Sequence, residues 1–186
     1  LLLDVDAGLH GDQAAGHDPV GPWAAGTTTI SAAGTTVQLW YPAGRRPPVG
    51  AARDTYDVRA WLPPAVDRTV RTGEFAFTSA AYRGLPVAGG GPFPLVLFAH
   101  GLYSFRDQST SLTAWLASWG YVVAAPDLPR HDLAAYFDHT AVGLPLPAGP
   151  TDDQVLAATE AAVAQLAGPA GGMFAGRIST RRIAVI

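Results

Sequence analysis

Residues 95–99 (LVLFA) and 121–125 (YVVAA) are two continuous apolar runs rich in strand formers, and the stretch between them has room for one helix and its turns. Gly101 punctuates the end of the first run. Asp107 offers a side-chain oxygen to cap the amides ahead of it. Leu112, Trp115, Leu116 and Trp119 recur at the spacing of one helical face, which predicts an amphipathic helix with both tryptophans in the core. Gly120 supplies a left-handed stop, and Pro126 closes the second run. Strand, helix, strand is a crossover that joins parallel strands, almost always in the right-handed sense. It brings the loop after Ala99 out at the carboxyl edge of the sheet, where open α/β folds bind their ligands. His100-Gly101-Leu102 therefore stands where chemistry is expected, and the glycine lets the backbone turn so that the next amide faces a cavity.

Composition narrows the classes of function. With 186 residues, 48% hydrophobic and 15% charged, the chain can bury one core, so one domain over 1–186 is expected. A net charge of -3 gives no basic footprint for nucleic acid, and no stretch reaches the apolar length of a membrane span. All twelve basic residues are arginine, and no mechanism attaches to that bias. Cysteine is absent, which excludes disulfides, thiolate nucleophiles and thiolate metal sites. The opening LLLDVDAG carries neither an initiating methionine nor the basic flank of a signal peptide.

Along the chain, residues 1–25 are rich in Gly, Asp and Ala and are expected to form a loosely held lead-in. Residues 27–31 and 35–41 favour strand and are joined by Ala32-Ala33-Gly34, which predicts a hairpin whose second strand ends in VQLWYPA. Over 44–91 prolines and glycines recur and elements should be short, with a helical turn or two over 53–62 using Tyr56, Ala60 and Trp61 as contacts before Pro63-Pro64. Residues 128–150 read as a loop at the same sheet edge. Thr151-Asp152-Asp153-Gln154 is a capping-box pattern, and Val155, Leu156, Thr159, Ala162, Val163 and Leu166 mark one face of the helix it opens. Gly168-Pro169 stops that helix, and residues 182–186 are expected to form another buried strand. No internal repeat is present.

The segments FPLVLFAHGLYSFRDQS, LASWGYVVAAPD, WYPA and MFAGRISTRRIAVI resemble the α/β-hydrolase family. Within it they are most similar to the platelet-activating-factor acetylhydrolase branch and its bacterial esterase relatives, which include dienelactone-hydrolase-like and polyester-cleaving enzymes. The resemblance runs from about Gly21 to the last residue. It implies a partial α/β-hydrolase fold, an amino-terminal hairpin followed by parallel strands with crossover helices. It also implies hydrolysis of small-molecule or lipid carboxylic esters through an acyl-enzyme, with no cofactor and no metal. In that family a segment like GRISTRRIAVI leads into the Gly-x-Ser-x-Gly nucleophile elbow, and the acid and histidine follow later. The sequence contains no Gly-x-Ser-x-Gly. The expectation is therefore an amino-terminal part of a longer hydrolase, inactive on esters by itself and exposing an apolar sheet edge.

The resemblance assigns one oxyanion donor to the main-chain N–H of Leu102, with Gly101 and His100 shaping the loop around it. His100 is not assigned as the triad base, because the family's base comes late in the chain. Tyr103 and Phe105 flank the loop, where they would either shape an acyl or alcohol pocket or simply pack. Ser104 lacks elbow glycines, and Asp127 at a strand end suits a loop hydrogen bond. His131, Asp132, Asp138 and His139, like His10, Asp12, His17 and Asp18, match no ligand spacing and read as solvated. Two alternatives stand beside the esterase: another hydrolase of this fold (dienelactone hydrolase, polyesterase or peptidase), and a non-catalytic binding module.

Overall fold

The computed structural model describes residues 21–32, 34–128, 132–141 and 152–186. Strands β1 (Ala24–Ala32) and β2 (Thr35–Gly44) pair antiparallel from Ala24 with Gly44 to Ala32 with Thr35. That register leaves a two-residue turn, and Gly34 enters the left-handed region at φ 80°, which a side chain would resist. Strands β3 (Arg53–Asp57) and β4 (Ala76–Arg83) extend the sheet on one side of this hairpin. On the other side lie β5 (Phe93–Leu97), β6 (Val122–Pro126) and β7 (Ile178–Val185). The seven strands form one sheet in the order β3-β4-β1-β2-β6-β5-β7. Strand β5 runs parallel to both of its neighbours, β6 and β7, while β2 joins β6 antiparallel. The architecture is an α/β fold in which the parallel unit read from the two apolar runs, with β7 added, forms one end of the sheet.

The crossover helix α1 (Thr110–Ser118) forms where its spacing placed it but turns the other way. Thr110, Thr113, Ala114, Ala117 and Ser118 are buried, whereas Leu112, Trp115 and Trp119 are 44%, 41% and 48% exposed. The expected apolar face is thus overturned. Ala114 and Ala117 pack against Trp40, Val96, Phe98, Val123 and Ala125, with Leu116 at the margin of that cluster. Small side chains let the helix axis come close to the sheet, and the large ones no longer fit beneath it. Of the expected lead-in, residues 1–20 lie outside the described residues; at the helix end the N–H groups of Gly21 and Trp23 bond Ser118, and a Cβ on Gly21 would lie 2.0 Å from the Ser118 carbonyl oxygen.

The opposite face is covered by helix α3 (Asp152–Ala167) and the 3-10 turn Pro169–Phe174; helix α2 (Leu133–Ala141) precedes them in the chain, where an unstructured loop was expected. Ala162, Leu166 and Phe174 close over Leu39, Tyr41, Leu95, Leu97 and Val122. Of the remaining residues read onto that helical face, the side chains of Val155, Leu156, Thr159 and Val163 lie outside the described set. Trp40 and Tyr41, adjacent on β2, enter the two different cores as strand alternation requires. Each fully buried side chain of this size contributes roughly 1.5–3 kcal/mol of transfer free energy. The Tyr41 ring meets Phe174 edge-on at 5.1 Å, and its hydroxyl donates to the Leu85 carbonyl at 2.6 Å.

Two further expectations change. Residues 53–57 are strand, with only Val58–Trp61 in a 3-10 turn; Tyr56 stacks on Phe77, and the Asp57 carboxylate accepts from the Arg59 N–H to start the turn. Of the segment 182–186, residues 182–185 are strand but not buried: Ile183 and Val185 are exposed on an edge of the sheet, as is Ile186 just past its end. The packing of α1 has a direct test. Ala117→Leu should destabilise the fold by roughly 1–3 kcal/mol through overpacking, while Trp119→Ser should change it by less than about 0.5 kcal/mol. Urea unfolding of both variants reads the difference, and the reverse order would contradict the packing described.

Candidate active site

The ladder around β5 continues past its last residue. Phe98 N–H donates to Ala124 O, Ala99 N–H to Ile186 O and Ile186 N–H to Leu97 O, each at 2.9 Å. His100 therefore emerges at the carboxyl edge beside the ends of both parallel neighbours. It is buried, and its ring bridges two loops: Nδ1 lies 3.0 Å from the Gly101 carbonyl, and Nε2 accepts the Leu128 N–H at 3.3 Å. With Nε2 accepting, Nδ1 is left to donate to the Gly101 carbonyl, so both ring nitrogens are committed.

The chain then turns between Gly101 and Ser104, whose N–H donates to Gly101 O at 3.1 Å. The left-handed residue of that turn is Tyr103 at φ 59°, not Gly101. A Cβ on Gly101 would stand an ordinary 3.6 Å from Gln108 Oε1, so the backbone freedom expected of this glycine is not what the turn uses. Holding a tyrosine there costs about 1–2 kcal/mol, which the surrounding contacts must offset. The Gly101 N–H is taken up by Gln108 Oε1 at 3.1 Å. The next amide, that of Leu102, has no hydrogen-bond partner among the described residues, and Leu102 is 58% exposed.

Three anchors hold this turn. Phe105 is buried in a cluster with Val58, Trp61 and Phe77, its ring 4.7 Å from that of Trp61, so it pins the loop by packing. Arg106 donates to Asp127 Oδ2 at 2.6 Å and lies 4.7 Å over the Trp61 ring, while Trp61 Nε1 reaches Asp127 Oδ1 at 3.4 Å. Ser104 O accepts the Leu133 N–H at 3.0 Å, and Asp132 caps that helix by accepting from Ala135 N–H at 2.9 Å. Half-buried Tyr103 meets Tyr136 with ring centroids 5.7 Å apart. Asp127 thus serves the loop through an ion pair, and Asp132 is a helix cap.

Asp107 does not cap α1. The helix begins after Ser109 with no side-chain cap, and the Asp107 carboxylate is buried 3.7 Å from Arg106 Nε. Burial pushes its pKa up to about 7, against the lowering pull of Arg106 and with Asp54 and Asp127 adding to the rise. Asp54 is also buried, paired with Arg83, and burial raises it too. Sequence reading passed over Asp54, Arg83 and Arg106; the only hint was an Arg-Asp doublet just ahead of an apolar helix. Of the two His/Asp clusters, residues 10–18 and His131 lie outside the described residues, as does the His139 side chain. Among the described residues no group of three metal-binding side chains converges, and no helix is long and apolar enough to cross a membrane.

The buried Asp107 makes stability depend on pH. Its folded value, about 7, lies above the ordinary 3.8, so between those values the folded state holds the extra proton, and this group's contribution falls as pH rises through about 7. Asp107→Asn should therefore gain on the native chain by roughly 2–4 kcal/mol at pH 8.5 and lose that advantage near pH 4. Chemical unfolding at the two pH values checks it.

The family model for platelet-activating factor acetylhydrolase, isoform II, matches residues 31–141, more than half of the chain. A ferulic acid esterase from Streptomyces cinnamoneus superposes with a TM-score of 0.59 at 25% identity, covering 91% of this chain and 53% of the esterase. The chain thus spans about half the length of that enzyme. A thioesterase domain from the curacin biosynthetic pathway overlaps only with a TM-score of 0.24, at 18% identity over 66% of this chain and 32% of the domain, and carries no weight. The match over 31–141, which takes in the hairpin, the crossover unit and the loop between them, shows that this chain belongs to the platelet-activating factor acetylhydrolase, isoform II, family.

Proposed function

We propose that the polypeptide carrying this chain hydrolyses small-molecule or lipid carboxylic esters by a serine mechanism, and that Leu102 donates its main-chain N–H to the oxyanion. The observation that carries this reading is the unspent Leu102 amide, held on an anchored turn at the carboxyl edge of β5. Membership of an acetylhydrolase family and likeness to an esterase support the substrate class.

Addition of a nucleophile to an ester carbonyl moves a full negative charge onto the carbonyl oxygen. A donor already aimed at that oxygen pays no reorganisation as the charge develops, and losing one such donor costs about 10²–10³ in rate. Neither neighbouring polar group competes for the oxygen: Gly101 N–H is spent on Gln108, and both ring nitrogens of His100 are spent on main chain. His100 and Gly101 thus shape the loop and leave the charge to Leu102. The nucleophile is not among these 186 residues, which contain no Gly-x-Ser-x-Gly. A serine presented on an elbow after β7 would emerge next to this loop, because Ile186 is bonded to both Leu97 and Ala99. Its attack would form the acyl-enzyme, and water would release the acid.

The test uses a polypeptide that extends through an elbow, an acid and a histidine. Leu102 occupies the second position of its turn, a place that tolerates proline. Leu102→Pro removes the donor and should lower kcat on a short-chain p-nitrophenyl ester by about 10²–10³ with KM little changed. Leu102→Ala, which keeps the N–H, should stay within about tenfold. Full activity in Leu102→Pro would overturn the assignment. The 186 residues alone should release no p-nitrophenol above background.

A further inference from the structure

Tyr103 stands at the third position of the turn from Gly101 to Ser104, with φ 59°. Glycine or asparagine takes that conformation at little cost, and tyrosine does not. The turn does not need the ring for its own hold, because Phe105, Arg106 and the bond from Leu133 N–H to Ser104 O already anchor it. A strained residue kept next to a functional amide points to a use for its side chain. That side chain belongs to a small aromatic surface. Ser104 and Asp132 form an isolated parallel bridge, so the first turn of α2 stands on the loop. Within α2 the Tyr136 ring comes 5.7 Å from that of Tyr103 at 55°, and Phe137 meets Tyr136 edge-on at 5.5 Å. All three residues are half-buried, whereas Phe105, two positions along from Tyr103, is buried against Trp61. Leu102 itself is exposed. The donor amide is therefore followed in the chain by uncharged rings that keep accessible area.

We propose that Tyr103 and Tyr136 determine specificity by selecting esters whose acyl group is an aromatic ring. The inference rests on the reading of Leu102 as oxyanion donor and names the substrate class for that same site. The acyl carbon stays bonded to the oxygen that Leu102 holds while the acyl-enzyme forms and while water cleaves it. A ring on that carbon therefore lies beside Tyr103 in both steps. Aromatic rings pack offset or edge-to-face with centroids about 4.5–7 Å apart, and such pairs are worth more than the apolar area they bury. A saturated ring of the same size gains the burial and not the ring pairing.

The test compares ethyl benzoate with ethyl cyclohexanecarboxylate on the polypeptide that extends through an elbow, an acid and a histidine. Conjugation changes the intrinsic reactivity of the benzoate, so the quantity read is the ratio of the two kcat/KM values in a variant relative to the native ratio, from which that difference cancels. Tyr103→Leu and Tyr136→Leu should each lower the benzoate-to-cyclohexanecarboxylate ratio about 3–10-fold. Leucine keeps an apolar side chain and, at position 103, the same backbone cost. A fall in both kcat/KM values with the ratio unchanged would show that the rings only hold the loop, and would overturn the proposal. If Tyr103→Leu fails to give native circular dichroism, Tyr136→Leu decides alone. Turnover of neither ester by the native polypeptide would contradict the esterase reading and leave the aromatic surface to be judged by binding. Saturable NMR shifts of the Tyr103 and Tyr136 rings should then give a Kd at least about threefold lower for the benzoate, and equal Kd values would overturn it.

Discussion

Everything at the candidate site depends on β5 being paired in parallel on both sides. Parallel pairing puts the carboxyl ends of β6, β5 and β7 at one edge, and the register from Leu95 with Val122 to Leu97 with Val185 fixes their relative heights. No hairpin could do this, because a parallel return needs a crossover, and here the crossover is α1. The helix can lie close over the sheet because its inner face is Thr, Ala and Ser. The same closeness leaves Leu112, Trp115 and Trp119 outside. Sheet register and helix height are thus one constraint, and the loop between them inherits its position from both.

The loop itself is held by contacts that reach away from the strand end. Phe105 and Arg106 both meet Trp61, and Arg106 also holds Asp127 after β6, so the excursion between β2 and β5 supplies the floor on which the loop sits. His100 adds a second tie to the β6 side through Leu128. With those anchors in place the left-handed Tyr103 is tolerated, and the Leu102 amide has no hydrogen-bond partner among the described residues. A fold shared by many chemistries does not by itself fix a reaction. In our proposal what narrows it is a main-chain donor with no partner among the described residues, on an anchored turn, within a chain that belongs to an acetylhydrolase family.

Much of the frame was legible because it is written in local patterns. The runs 95–99 and 121–125 could only be buried strands, Gly34 and Gly120 sit where the backbone does turn left-handed, and Ala162 and Leu166 lie on the buried face their spacing gave. The orientation of α1 was not legible, since spacing reports which residues share a face and not how close the sheet stands. Strand β3, RDTYD, hides because it is short, polar and near the sheet margin, as edge strands often are. Helix α2 hides in a segment whose capping residue, Asp132, looked like one member of a solvated cluster. The charge cluster was not legible as a cluster for a different reason: Asp54, Arg83, Arg106, Asp107 and Asp127 are scattered along the chain, and only the folded sheet brings them together.

The central claim concerns where the oxyanion sits. A crystal structure of the natural polypeptide containing this chain and a nucleophile elbow, inhibited with a phosphonate ester that mimics the tetrahedral intermediate, tests it most directly. The expected result is a phosphonyl oxygen within about 2.7–3.1 Å of the Leu102 nitrogen, with the His100 and Gly101 contacts unchanged. A phosphonyl oxygen held by other donors, with the Leu102 N–H turned away from it, would contradict the role assigned to this loop.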